Sequence, residues 1–128
     1  MATTLPEASD AFYAAANRML AGDATAFEPI WSKADDVSHL GPTGERRTGR
    51  QAVMEGFARE SRMGFQGTLT VEERQFVETP EMGFVVCSER TSGMTRDGQP
   101  IATDIRATTI LRREDGHWRV VHHHTDRF

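Results

Sequence analysis

Two Asp-Gly pairs constrain what this chain can fold into more than any other feature. Asp97-Gly98 and Asp115-Gly116 supply the left-handed backbone that tight hairpin turns demand, and they flank Ile101 to Arg112. The last three strands are therefore expected to run as an antiparallel meander, with Met82 to Met94 as the first of them. The closing strand, His117 to His124, carries Trp and Val and has no Gly or Pro. Side chains on a strand alternate between faces. Regular alternation puts Trp118, Val120, His122 and His124 on one side and His117, Arg119, Val121 and His123 on the other.

The N-terminal half has a different period. Thr4-Leu5-Pro6-Glu7 is a capping box with Pro near the first helical position. Ala8, Phe12, Ala15, Ala16, Met19 and Leu20 then keep the spacing of one apolar helix face, and Gly22 is the stop. Asp23 is placed to cap a second, short helix with Phe27, Ile30 and Trp31 on one stripe. Asp36 to Leu40 reads as a short strand running into Gly41-Pro42-Thr43-Gly44, and the loop Gly41 to Arg47 reads as a rim or lid. Thr48-Gly49-Arg50-Gln51 resembles a second capping box, opening a third helix that holds Val53 and Phe57 and runs to about Met63. From Thr68 the period becomes that of a strand, and its parity shifts between Glu72 and Gln75, which predicts a bulge.

Helices followed by long antiparallel strands make an α+β layout, with three N-terminal helices covering one face of a curved, mainly antiparallel sheet. The length of 128 residues suits one domain spanning 1–128. Phe84, Val85, Val86 and Cys87 are apolar at both parities, so both faces of that strand are expected to be covered. With the helices on one side, the other face, expected to carry Val121, Val85 and Cys87, would pair with a second copy in a homodimer.

Charge and cysteine usage exclude several partners. The formal net charge of -4 arises from interspersed carboxylates and arginines, which disfavours nucleic acid and anionic membrane surfaces. No apolar run approaches the ~20 residues needed to span a bilayer. A single cysteine, Cys87, rules out an intrachain disulfide and a cysteine-based zinc site, and fits a reducing compartment. The expectation is a cytoplasmic protein.

Leu20-Ala21-Gly22-Asp23, Trp31, Gly49-Arg50 and the final Asp115 to His124 segment together resemble the SnoaL-like branch of the nuclear transport factor 2-like superfamily. That resemblance implies a cone-shaped half-barrel of the cystatin-like type, generally metal-free, whose open end is a ligand pocket. It leaves function open, because the superfamily spans isomerases, cyclases, dehydratases, transport factors and association domains. Leu40 and Ala15 stand where the ketosteroid isomerase pattern keeps its catalytic aspartate and oxyanion tyrosine, which argues against that chemistry. Ser38-His39-Leu40, Glu89-Arg90-Thr91, Asp104 to Thr108 and His122 to Thr125 are similar to the cavity strands of the calcium/calmodulin-dependent protein kinase II association domain. This similarity implies that His39, Arg90 and Arg106 face the interior.

Several candidate site residues follow. Arg90 and Arg106 inside a cone would offer planar donor forks to a carboxylate; the structural alternative pairs them with Glu89, Asp104 or another carboxylate. His122 and His124 are candidate acid-base groups, with Asp104 or Asp36 to orient one of them, while a strand histidine beside a Trp also serves as a hydrogen-bonded wall. His123 is assigned to the opposite face. Trp31 and Phe57 are core by spacing and the pocket's apolar wall in a cone. His122 and His124, about 6.5 Å apart along one face, have metal-ligand spacing with His39 as a third ligand, yet such spacing arises by chance where histidine is enriched, and no metal or other cofactor is assigned. Cys87 defaults to a core thiol. The leading expectation is a pocket for a small organic molecule bearing an anionic or carbonyl group. The alternatives are a cofactor-free cyclase, dehydratase or isomerase using His122 or His124, and an association module with a vestigial pocket.

Overall fold

In the computed structural model, which describes residues 2–127, the first helix, α1 (Leu5–Leu20), begins where the capping box places it. The Thr4 hydroxyl accepts from the Glu7 backbone N–H at 3.2 Å and donates to the Glu7 carboxylate at 2.9 Å. Leu5, Ala8, Phe12, Ala15, Ala16 and Leu20 are buried along one face, and Gly22 leaves the helix at a positive φ of 109°.

The second predicted helix is only a 3-10 turn at Thr25–Phe27, capped by the Asp23 carboxylate, which accepts from the Thr25 N–H at 2.9 Å. Pro29, lacking an N–H, stops it from growing. The chain then runs beside the last strand, where the Ser32 N–H donates to the Val120 carbonyl and the Val120 N–H to the Ile30 carbonyl. The described residues therefore form two α-helices, not three. The second, α2 (Arg50–Ser61), is capped at Gly49 with φ 90°, and the Arg50 N–H donates to Asp35 at 3.0 Å. Thr48 belongs instead to a short strand, so the second capping box is not formed.

The described residues hold eight strands, in chain order β1 (Ser38–Leu40), β2 (Arg46–Thr48), β3 (Thr68–Glu78), β4 (Met82–Ser92), β5 (Met94–Arg96), β6 (Gln99–Ile101), β7 (Asp104–Glu114) and β8 (His117–Arg127), the first two preceding α2. Six form one sheet in the order β2-β1-β8-β7-β4-β3, and β5-β6 is a separate hairpin turning at Asp97-Gly98. All pairings in the sheet are antiparallel except β1 with β8. The loop read as a rim is thus the turn of a β1-β2 hairpin, closed by a 2.9 Å bond from the Gly41 N–H to the Glu45 carbonyl.

Two bulges decide which side chains face the helices. One lies between Glu72 and Gln75, as the parity shift predicts, with Glu73 at φ 57°. The other, in β8, was not expected. Ile110 pairs with His122 but Leu111 pairs with Val120, so Val121 is an extra residue and every later side chain changes face. His123 and Thr125 are buried on the inner, helix-covered face, while His122 and His124 share the outer face with Ile110 and Thr108.

The remaining face assignments change as well. Val85, Cys87 and Val121 pack into the core instead of lining a dimer surface. The outer side of β4 is not covered: Phe84 and Val86 are 38% and 40% exposed. Phe84, with Met82, Val77, Thr108 and Ile110, borders an outer-face groove of about 410 Å³. Among the described residues no helix is long and apolar enough to cross a membrane.

Candidate functional site

The inner face brings together a run of polar side chains that the sequence scatters. Helix α1 contributes Tyr13, β4 Cys87 and Glu89, β7 Thr109, β8 His123 and β1 His39. Each strand position follows from parity: Val85, Cys87 and Glu89 are alternate residues of β4, and all three are buried. Tyr13 follows Phe12 on the buried side of α1.

These groups form a hydrogen-bonded chain. The Tyr13 hydroxyl donates to Glu89 Oε2 at 2.7 Å and lies 3.1 Å from Cys87 Sγ. The same Oε2 is 3.1 Å from His123 Nε2, and His123 Nδ1 is 2.8 Å from the Thr109 hydroxyl. A carboxylate only accepts. His123 therefore donates from Nε2 to Glu89 and meets the Thr109 hydroxyl at Nδ1, which leaves neither ring nitrogen open. Glu89 is 5% and His123 3% exposed, so the chain is sealed from bulk water. Burial, followed by the charge of Glu89, pushes the Tyr13 phenol far above its ordinary range and keeps it a neutral donor. Burial likewise pushes the Cys87 thiol up.

His39 is the second imidazole. Its ring lies 5.5 Å from that of His123, 5.0 Å from Phe57 and 6.2 Å from Trp31. It is 7% exposed, and its Nδ1 has no hydrogen-bond partner. Burial holds it well below the usual imidazole range, with repulsion from His123 and Arg47 adding to the effect, so the ring is neutral. Arg47 is the register partner of His39 in β2 and pairs at 3.1 Å with Glu60 of α2. Burial raises the Glu60 carboxyl despite that arginine.

Three of the residues singled out from sequence, Trp31, His39 and Phe57, do meet on the inner face. The others do not join them. Arg106 lies on the outer face in a bidentate pair with Asp126, at 2.9 and 2.6 Å. Arg90 is also outside, 2.9 Å from Glu72 and 3.4 Å from Asp104. Asp104 therefore orients an arginine and no histidine, and Asp36 binds Arg112 at 2.8 Å. His122 meets the Ser38 hydroxyl at 2.6 Å on the outer face, and its ring is 6.1 Å from that of His124. The β8 bulge sets both histidines on the side opposite His39, so the three cannot converge on one metal. Among the described residues no group of three metal-ligating side chains is assembled.

Tyr13, Glu89, Thr109 and His123 were not anticipated. For Glu89 a signal exists, since it continues the Val85, Cys87 alternation. For His123 none does, because the bulge is invisible where Val120 and Val121 are both apolar.

Comparison with known proteins fits this architecture. The SnoaL-like domain model matches residues 6–125, and the chain belongs to that family. A crystal structure assigned to a calcium/calmodulin-dependent protein kinase type II association domain from Thiobacillus denitrificans is similar, with 26% identity, TM-score 0.80, and 98% of this chain and 95% of that one covered. A protein assigned as a dehydratase of the NTF2-like family from Streptomyces avermitilis aligns at 22% identity and TM-score 0.82, covering 97% and 93%. A ketosteroid isomerase-like protein from Erwinia carotovora atroseptica aligns at 20% identity and TM-score 0.79, covering 97% and 93%. No curated protein sequence matches the chain.

Proposed function

We propose that this chain is a small-molecule-binding domain of the SnoaL-like type, with its site at the inner-face array of Tyr13, Glu89, His123 and His39, walled by Trp31 and Phe57. One observation carries this reading: a carboxylate, a phenol and an imidazole are buried in one hydrogen-bonded chain beside a second imidazole whose Nδ1 is unpartnered. The fold needs only an apolar core there. Burying such groups lowers stability unless each is paired, and arrays of this kind concentrate where ligands are handled. The enzymatic form of the reading, a cofactor-free cyclase, dehydratase or isomerase, moves the acid-base role from His122 and His124 to His39 and Glu89.

A thermal-shift screen of small alcohols, ketones and carboxylates tests the proposal. Binders at saturating concentration are expected to raise the midpoint of the parent chain by several degrees and that of Glu89→Gln by distinctly less. Absence of any binder, or equal shifts in both proteins, overturns it.

A second reading has its own support. Self-association through the outer face is favoured by the exposed Phe84 and Val86 beside the groove and by the 26% identity to the association-domain structure. A homodimer formed there covers the apolar strip and leaves the inner-face array intact.

A further inference from the structure

Resting on the self-association reading given above, we infer that the contact with a second copy of this chain extends from the apolar strip across β8 onto His122 and His124, so that acid opens the dimer. The register traces the outer face residue by residue. Phe84 pairs with Val77 and Ile110, Ile110 with His122, and His122 with Ser38 of β1. In the next row Val86 pairs with Gln75 and Thr108, Thr108 with His124, and His124 with Leu40. Ile110 and Thr108 line the groove, so both histidines stand one strand, about 4.8 Å, beyond it.

The strip is too small to hold two chains together by itself. Val77, Met82, Phe84, Val86 and Ile110 span three neighbouring strands, a patch of roughly 10 by 14 Å. Each partner of a stable dimer buries about 800 Å². Strand β3 is the edge of the sheet, so no strand lies beyond Val77. Across the strands, the contact can widen only over β8 and β1, where His122 is half-buried and His124 exposed.

No group on that face is free to compensate an imidazolium once a second copy excludes water. From β1, His122 Nδ1 meets the uncharged Ser38 hydroxyl at 2.6 Å, and Leu40 lies beside His124. From β7 come Thr108 and Ile110. Along β8, the His124 ring is 6.1 Å from that of His122, and Asp126 is already held by Arg106 at 2.9 and 2.6 Å. Farther off, Arg112 engages Asp36 at 2.8 Å and Glu114 at 2.9 Å, Arg119 also reaches Glu114, and Arg46 pairs in register with Leu40 as a further cation. Burial already holds His122 below the ordinary imidazole range, with repulsion from His124 and His123 adding to it. Covering the rings pushes in the same direction, so two free chains bind more protons than the dimer. Association is therefore complete above the imidazole range and weakens as pH falls through it, about tenfold per pH unit for each proton that must be released.

Sedimentation equilibrium of the intact chain at about pH 7.5 and about pH 5.5 tests this, with circular dichroism following the fold at both. The parent is expected to dimerise at the higher pH and to show a Kd at least about tenfold larger at the lower one, with its dichroism unchanged. The double variant His122→Asn, His124→Asn is expected to dimerise at both with a Kd that moves less than about twofold. His124→Asn alone, at an exposed position, is expected to lose part of the response and carries the test if the double variant does not fold. A parent Kd that is the same at both pH values overturns the inference, as does a response that the folded variants keep in full. Dissociation that accompanies loss of the dichroism signal also overturns it, because the switch releases folded chains. A parent that is monomeric at the higher pH is a different failure, since it removes the dimer itself and the inference with it.

Discussion

His39 couples the inner face to pH. Its folded pKa lies well below the ordinary 6.5, chiefly because burial disfavours the charged ring. The unfolded chain therefore takes up this proton first as acid is added, so the contribution of His39 is complete above 6.5 and is lost as pH falls from there toward the folded value. Comparing denaturant unfolding of the parent with His39→Asn between about pH 7 and about pH 5 isolates it. The parent is expected to lose more stability across that window than the variant, and parallel pH profiles contradict the assignment. Tyr13, whose pKa is raised, remains a neutral donor to Glu89 throughout this range.

Among the connecting elements, Gly67 is the tightest hinge. It has φ 74°, and an added Cβ would stand 2.5 Å from the Ser92 carbonyl oxygen and 2.6 Å from the Met94 nitrogen, where β3 meets the turn out of β4. Gly116, in the β7-β8 turn, has a similar φ of 79° but open space around it. Gly116→Ala is expected to cost about 1–2 kcal/mol of left-handed strain. Gly67→Ala is expected to cost measurably more, because backbone must also move; equal losses in chemical denaturation contradict this. Both turns of the meander and the cap of α1 could be read from sequence because their determinants lie within a few residues. The β3 bulge was legible because the apolar parity passes from Leu69 and Val71 to Phe76, which packs on the same core. The β8 bulge was not, since two consecutive valines fit either alternation, and that single residue reverses the faces of three histidines. Arg90 and Arg106 were misplaced for a different reason: their carboxylate partners come from other strands or from far along the chain, and only the register brings them together.

Taken whole, the molecule presents two unlike surfaces of one sheet: a sealed polar array under the helices, and an open apolar strip behind it. Ladders of ion pairs, Arg106 with Asp126 and Arg90 with Glu72 and Asp104, border that strip. If the strip is the homodimer contact, replacing Phe84 and Val86 by Asp buries unpaired charge at the interface and is expected to yield monomer in sedimentation equilibrium while leaving the fold intact. A parent chain that is already monomeric at micromolar concentration contradicts the dimer.

The central claim is that ligands belong to the inner face, although the open volume of about 410 Å³ lies on the outer one and the inner crevice beside Tyr13 and Thr109 is filled. NMR mapping of compounds that stabilise the chain decides between them directly. The proposed site predicts saturable shifts at Tyr13, His39, Glu89 and His123, abolished in Glu89→Gln. Shifts confined to Met82, Phe84, Thr108 and Ile110, with the inner face silent, would contradict it.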